Sequence, residues 1–357
     1  MKLQVERLPA PLWVRAIIPV ASVLLTFVLT SGFVVAVGAN PLQAAYYFLL
    51  DPLSNPVRGI EVLVKATPLL LTGAAVAFAF AGGYWNIGVE GQLYMGAAAA
   101  TAVGLQMDGV PAWIALPLII IAGFLAGMAW AIVPAYMKVR LKIDEVVTTL
   151  LLNYVAIFFV SALLNGPWRD PISQWLQSPE IAASAIFPRL IPRSRLHLGF
   201  IIAIVIIIAL WFVLNRTAFG LKMRAVGLNM DAASFSGINV NRTMMIVALV
   251  SGGIGGLAGA SEVAGIHFHL IDAISPGYGY TGIIIATLGS LNAIGVAAAA
   301  LFIGLVDTGS QTVSRALGVP AYLGDVLQAT LLLVTLAMLL LQGYRFSLRR
   351  RSSAPQE

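Results

Sequence analysis

Ten apolar runs follow one another along 357 residues, separated by polar connections, and this rhythm leaves few folds open. The runs cover residues 16–37, 62–80, 93–105, 113–136, 146–164, 198–213, 244–264, 282–291, 294–306 and 322–341. A helix crosses the hydrocarbon layer with about 20 apolar residues, and fewer serve where helices are broken or buried in a bundle. Composition agrees, with 59% of residues hydrophobic and 10% charged, against about 45–50% and about 25% in soluble domains. The expected fold class is all-α: a polytopic membrane bundle of about ten transmembrane helices. The first run is longer than the apolar core of a cleaved signal and is therefore kept as a span.

Much chemistry is excluded. There is no Cys and there are three scattered His, so neither a disulfide framework nor a metal centre is expected. No phosphate-gripping G-x-x-x-x-G-K-[ST] loop, H-E-x-x-H or G-x-S-x-G occurs. No catalytic residue and no cofactor are expected, and energy must come from a gradient or from another polypeptide. The net charge of +6 is spread between the apolar runs, which fits membrane orientation and not a nucleic-acid partner. Lys2, Arg7 and Arg15, then Lys138, Arg140 and Lys142, then Arg216, Lys222, Arg224 and Arg242, then the "RRR" tail all fall on one side of a ten-span chain. Both termini are therefore expected in the cytoplasm. The long connection 165–197 lies on the other face, with a short helix expected around 172–183. No connection is long enough to bury its own core, so residues 1–351 are expected to form a single transmembrane domain, followed by a disordered tail at 352–357.

The stretch "GGYWNIGVEGQLYMG" interrupts this apolar text with Asn86, Glu90 and Gln92 among five glycines. A carboxylate at the membrane centre costs about 2.5–3.5 kcal/mol. Unwound backbone at that depth survives only when buried in protein or lining a wet cavity. Either the segment is a broken helix at a permeation path, or its amides are glue between closely packed helices. A second interruption holds Glu262, His267, His269 and Asp272 before a Pro276 to Tyr280 break. Two interrupted segments at comparable places in the two halves are the pattern of inverted repeats. His267 and His269 diverge on a helix, so they make no metal site. A path for a neutral polar solute would draw on Asn86, Gln92, Asn153, Tyr278, Tyr280 and Asn292, with Glu90 and Glu262 beside them. In a gradient-driven transporter those two carboxylates would instead carry protons.

The segment 215–242 is too polar to insert and too regular for a plain loop. Leu221, Ala225, Leu228, Ala232, Ala233 and Phe235 form an interrupted helical stripe. Asp231 followed by small residues suits a short surface helix docking in a partner's groove. The other reading is a solvated linker held at the headgroups by Lys222 and Arg224.

Five stretches carry a resemblance: "GGYWNIGVEGQLYMGA", "DEVVTTLLLNYVA" with "NGPWRDP" after it, "GLKMRAVGLNMDAASFSGINV", "SGGIGGLAGASEVAG" and "GYGYTGIIIATLGSLNAIG". The chain resembles, over nearly its whole length, the permease subunits of bacterial ABC importers for simple sugars, branched-chain amino acids and nucleosides, most closely the nucleoside-type branch. The resemblance implies a place in the bacterial cytoplasmic membrane and transport by alternating access. Partners would be an ATP-binding subunit, a second and paralogous permease subunit, and an extracytoplasmic substrate-binding lipoprotein that delivers a small-molecule substrate. It also implies that 220–240 couples to the ATP-binding subunit, through Gly220, Arg224, Ala225, Gly227, Asn229, Ala232, Ala233 and Gly237. Residues 86–92 would lie near the translocation path.

Overall fold

The structure, a computed structural model, describes residues 2–7, 12–320, 322–342 and 344–349. In chain order its helices are α1 (Leu12–Ala36), α2 (Pro41–Leu49), α3 (Pro56–Ala81), α4 (Val89–Gly104), α5 (Ala112–Leu141), α6 (Glu145–Asn165) and α7 (Leu198–Arg216). They continue as α8 (Ala218–Leu228), α9 (Met230–Phe235), α10 (Val240–Glu262), α11 (Tyr278–Leu288), α12 (Ala293–Leu317) and α13 (Leu323–Gln342). Each of the ten expected spans falls on one of these helices. Among the described residues, α3, α5, α6, α7, α12 and α10 with its extension to His267 are long and apolar enough to cross a membrane. The apolar pieces Val20–Ala36, Tyr278–Leu288 and Leu323–Met338 are shorter. The chain is a helical, multi-pass membrane protein.

Two compact units are resolved. In the first (Met1–Tyr46 with Val313–Glu357), α1 packs along α13. The strands β1 (Lys2–Arg7) and β2 (Tyr344–Arg349) pair antiparallel, with Lys2 opposite Arg349 and Arg7 opposite Tyr344. This ribbon is an exception to the all-helical expectation. The expected tail at 352–357 lies outside the described residues.

The second unit (Tyr47–Thr312) is built around α3 and α10. Their most apolar windows are 89% and 78% buried, against 22% for α5 and 28% for each of α6 and α7. The outer helices turn large side chains away from the protein, Leu125 and Ile132 on α5, Phe158 on α6 and Phe212 on α7 among them. That arrangement suits lipid, not water. α10 approaches α4 and α5 at backbone distance because it is glycine-rich there. A Cβ on Gly259 would stand 1.9 Å from the carbonyl oxygen of Leu93, and one on Gly256 would stand 2.1 Å from that of Gly123. No side chain fits at either position, which is the small-residue packing of membrane helices.

Both expected interruptions are present, but Tyr278 to Tyr280, expected within the second, form the first turn of α11. α3 ends at Gly82, Gly83 takes φ +74°, and the chain stays unwound to Gly88. α4 starts at Val89, so Glu90 and Gln92 lie in its first turn and not in the unwound stretch. α10 runs into a π-turn at Val263–His267, and Phe268 follows at φ 62°. Irregular chain then leads to α11, whose N-cap Gly277 sits at φ 99°.

Two expectations need correction. The helix expected around 172–183 is a series of turns, with one 3-10 turn at Ala183–Ala185. Pro171 and Pro179 remove donors there, and local side-chain bonds compete with helix: Asp170 Oδ1 accepts from Ile172 N–H at 3.0 Å and Ser173 Oγ from Trp175 N–H at 3.3 Å. The span expected at 282–291 ends at Leu288, because Ser290 and Leu291 adopt φ 51° and φ 56°.

Candidate functional site

The unwound segment between α3 and α4 leaves backbone groups without helical partners, and α6 supplies them. Glu145, Thr149 and Asn153 are spaced by four and so share one helix face. Glu145 Oε1 accepts from Trp85 N–H at 3.4 Å, and Thr149 Oγ1 accepts from Ile87 N–H at 3.2 Å. Asn153 donates from Nδ2 to the Ile87 carbonyl at 2.9 Å and accepts at Oδ1 from Gly91 N–H at 2.8 Å. The stripe thus grips the break at successive points. Its outer end is fixed by an ion pair between Glu145 and Lys138 of α5.

Asn86 and Gln92 bond to each other. Asn86 Nδ2 donates to Gln92 Oε1 at 3.0 Å, and Gln92 Nε2 donates to Asn86 Oδ1 at 3.2 Å. Asn86 also donates to Ser251 Oγ on α10 at 2.9 Å, and Ser251 donates to the Ala75 carbonyl on α3 at 2.7 Å. Both amides are fully buried. In this conformation they tie α3, α4 and α10 together, with no polar atom turned to a solute.

Glu90 is also buried, and its Oε2 accepts from Gly279 N–H at 2.6 Å, so a side chain of α4 caps the N-terminus of α11. Tyr280 of α11 receives a bond from Asn153 Nδ2 at 3.2 Å. The structure therefore brings Asn86, Glu90, Gln92, Asn153 and Tyr280 into one neighbourhood. Glu262 and Tyr278 line a separate cavity. Asn292 stands apart from both groups, beside a cavity of about 360 Å³ that it shares with Phe80, Ala81, Arg224 and Gly227. Glu145, Thr149 and Ser251 were absent from the sequence candidates, although the four-residue spacing in "DEVVTTLLLNYVA" was visible.

The expected docking segment is two helices. Asn229 is extended, with φ −160°, and breaks them; its Oδ1 then caps α9 through Ala232 N–H at 2.9 Å. Gly237, at φ +80°, follows the end of α9. Met223, Val226 and Ala233 are buried, and Ala225 is half-buried. Gly220 lies against the Val213 carbonyl, 2.0 Å from where its Cβ would be. A Cβ on Gly227 would be 2.4 Å from the Ala81 carbonyl oxygen, and one on Gly83 would be 2.9 Å from Gly227 Cα. α8 therefore touches the break itself. Facing outward are the apolar side chains of Leu221 at 64%, Leu228 at 88% and Phe235 at 97% exposure.

The fold is thus a multi-pass helical membrane protein with a clasped break in its core and α8 resting on that break. The chain belongs to the family described as branched-chain amino acid transport system / permease component, whose model matches residues 59–336. It is 33% identical to the glucose ABC transporter permease protein TsgB13 of Haloferax volcanii, over 100% of this chain and 97% of that one. It is 35% identical to the guanosine ABC transporter permease protein NupP of Bacillus subtilis, over 85% of this chain and 86% of the relative. With the nucleoside ABC transporter permease protein NupB of Lactococcus lactis it shares 28% identity over 89% of this chain and 90% of that one.

Proposed function

We propose that the chain is the permease subunit of an ATP-driven importer of nucleosides and that it forms a translocation path by alternating access. The observation that carries the coupling is the contact of Gly227 with Gly83. A push on α8 reaches the break directly, with no side chain between to absorb it. Leu221, Leu228 and Phe235 supply the apolar face for an ATP-binding subunit, with Gly220, Arg224, Ala225, Asn229, Ala232, Ala233 and Gly237 building the same segment. Hydrolysis takes place on that partner. Relatives named for guanosine and nucleosides support the cargo.

The remaining architecture follows from the same reading. All ten apolar helices span the cell membrane of a bacterium, with both termini in the cytoplasm. The two breaks, α3 to α4 and α10 to α11, are counterparts in inverted repeats. The family match crosses both compact units, which supports a single permease domain over 1–351. The chain also matches a second Bacillus subtilis guanosine permease, NupQ, at 28% identity, which supports pairing with a paralogous permease. A secreted lipoprotein delivers the solute. Asn86, Glu90, Gln92, Asn153, Tyr280, Glu262, Tyr278 and Asn292 come to face the path only as the break rearranges.

Glucose is the second reading for cargo, favoured by the relative aligned with the whole chain. Purified complex with its ATP-binding and solute-binding partners decides between them. ATP hydrolysis stimulated by nucleoside-loaded binding protein and not by glucose supports the first reading. The opposite response replaces it.

A further inference from the structure

A cavity of about 270 Å³ lies between α3, the π-turn after α10 and the start of α11. Most of its charge is already paired. Arg195 meets Glu61, and Lys65 Nζ lies 3.3 Å from Asp307 Oδ2. Glu262 is different. Its side chain is 4% exposed, and among the described residues its carboxylate accepts no hydrogen bond. The nearest basic group, His267 Nε2, is 3.7 Å away, within ion-pair range only if its ring is protonated and beyond hydrogen-bonding reach. A carboxylate that lines a cavity and accepts no hydrogen bond from the described residues is open to a ligand that brings donors.

The surroundings restrict that ligand. Glu61 and Glu262 stand against Lys65 and Arg195 in the lining, so the wall carries no formal net charge and favours a neutral solute. Neutral hydroxyls remain. A carboxylate has two acceptor oxygens side by side and takes two donors at once. Tyr278 also lines the cavity and brings an aromatic ring to its wall. We propose that this cavity is a binding station for the vicinal hydroxyls of a polyhydroxylated ring, the ribose of a nucleoside, held by Glu262 and packed on Tyr278. The proposal rests on the nucleoside reading above and adds to it the part of the solute that is recognised and the residue that recognises it.

The test is uptake of guanosine and of 2′,3′-dideoxyguanosine by proteoliposomes carrying the full complex, with wild type, Glu262→Gln and Glu262→Ala at equal reconstituted amounts. The same binding protein delivers both solutes throughout, so a change in their ratio belongs to this chain. Glu262→Ala should lower guanosine uptake about ten-fold while changing the dideoxy solute less than about two-fold. Glu262→Gln keeps one acceptor oxygen and should fall between. An unchanged ratio, or an equal fall for both solutes in both variants, overturns the assignment. A wild-type complex that imports no nucleoside but imports glucose contradicts the cargo reading instead. The ratio of glucose to 2,3-dideoxyglucose then decides the hydroxyl assignment by the same criteria.

Discussion

Glu90 Oε2 accepts the backbone N–H of Gly279 at 2.6 Å, joining the first turn of α4 to the first turn of α11 across 189 residues of sequence. This bond ties one interrupted segment to the other, and Tyr94 Oη of α4 adds a second tie by donating to the Asp272 carbonyl at 3.2 Å. A Cβ on Gly279 would stand 2.3 Å from Glu90 N, so the two helix starts meet at backbone distance as well.

Glu90→Gln keeps an acceptor oxygen for Gly279 and should retain most transport. Glu90→Leu leaves that buried N–H unpaired, at about 1–3 kcal/mol, and should lower both the melting temperature and uptake. Thermal unfolding and uptake of the two variants at equal membrane abundance check this. A dead Glu90→Gln variant with unchanged melting would show that the charge, and not the hydrogen bond, is what matters.

Asn153→Leu removes the partners of Gly91 N–H and the Ile87 carbonyl together. It should destabilise the protein by about 1–3 kcal/mol for each orphaned group and free the chain between Gly82 and Gly88. Hydrogen exchange at Ile87 and Gly91 reads the effect directly. Unchanged protection there would remove α6 from the account of the break.

The break and the polar helix pair α8–α9 are legible in the sequence because glycines, amides and charges interrupt apolar runs conspicuously. What each side chain does was less so. Glu90 stood out by its cost at membrane depth, but a backbone N–H such as that of Gly279 leaves no trace in sequence. Thr149 and Ser251 carry no such signal, because hydroxyls in apolar helices so often bond their own preceding turn. The helix expected near 172 failed because Asp170 and Ser173 spend their oxygens on local turns. Ala233 was expected to face a partner, and its 3% exposure places it inside the chain's own packing.

Coupling should therefore be disrupted at the exposed positions. Phe235→Asp and Leu228→Glu should leave membrane abundance unchanged and lower solute-stimulated ATP hydrolysis, since a groove for apolar tips rejects a charge. Ala233→Glu should instead lower abundance by disturbing packing. Abundance by immunoblot and ATPase rate of purified complex separate the two. Normal coupling in Phe235→Asp and Leu228→Glu together would exclude this surface as the dock.

The connection before α7 should respond to acid. His197 is fully buried at the start of that helix, where its Nδ1 accepts from Gly199 N–H at 3.1 Å, and burial pushes its imidazole down to about 4. The unfolded chain takes up the proton first, near the ordinary value of about 6.5. Stability from the buried neutral ring is complete above that pH and is lost as pH falls from about 6.5 to about 4. Asp170 is held below the usual carboxylate range by bonds from Ser173 Oγ and Ile172 N–H, so its turn should persist through that window. Hydrogen exchange at Gly199 and Ile172 across this range is the check, with protection lost at Gly199 first.

The absence of native Cys makes introduced ones clean reporters of sidedness. Ser178 is fully buried and unsuitable, whereas Ile172 is 92% exposed. Ile172→Cys should react with an impermeant thiol reagent from outside intact cells, and Arg140→Cys and Arg224→Cys only after the cytoplasmic face is opened. External labelling of Arg224→Cys would contradict the ten-span arrangement.

Nucleoside import driven by a partner's ATP through α8 can be tested in a reconstituted system. The most direct measurement is uptake of radiolabelled guanosine into proteoliposomes holding this chain with its ATP-binding, second permease and solute-binding partners. ATP is supplied on the α8 side, with and without a protonophore. Uptake should require ATP, ignore the protonophore, and be lost in a Gly227→Leu variant, whose side chain cannot fit against Ala81 and Gly83. Uptake that proceeds without ATP and collapses with the protonophore would contradict it, and would make Glu90 or Glu262 a proton site.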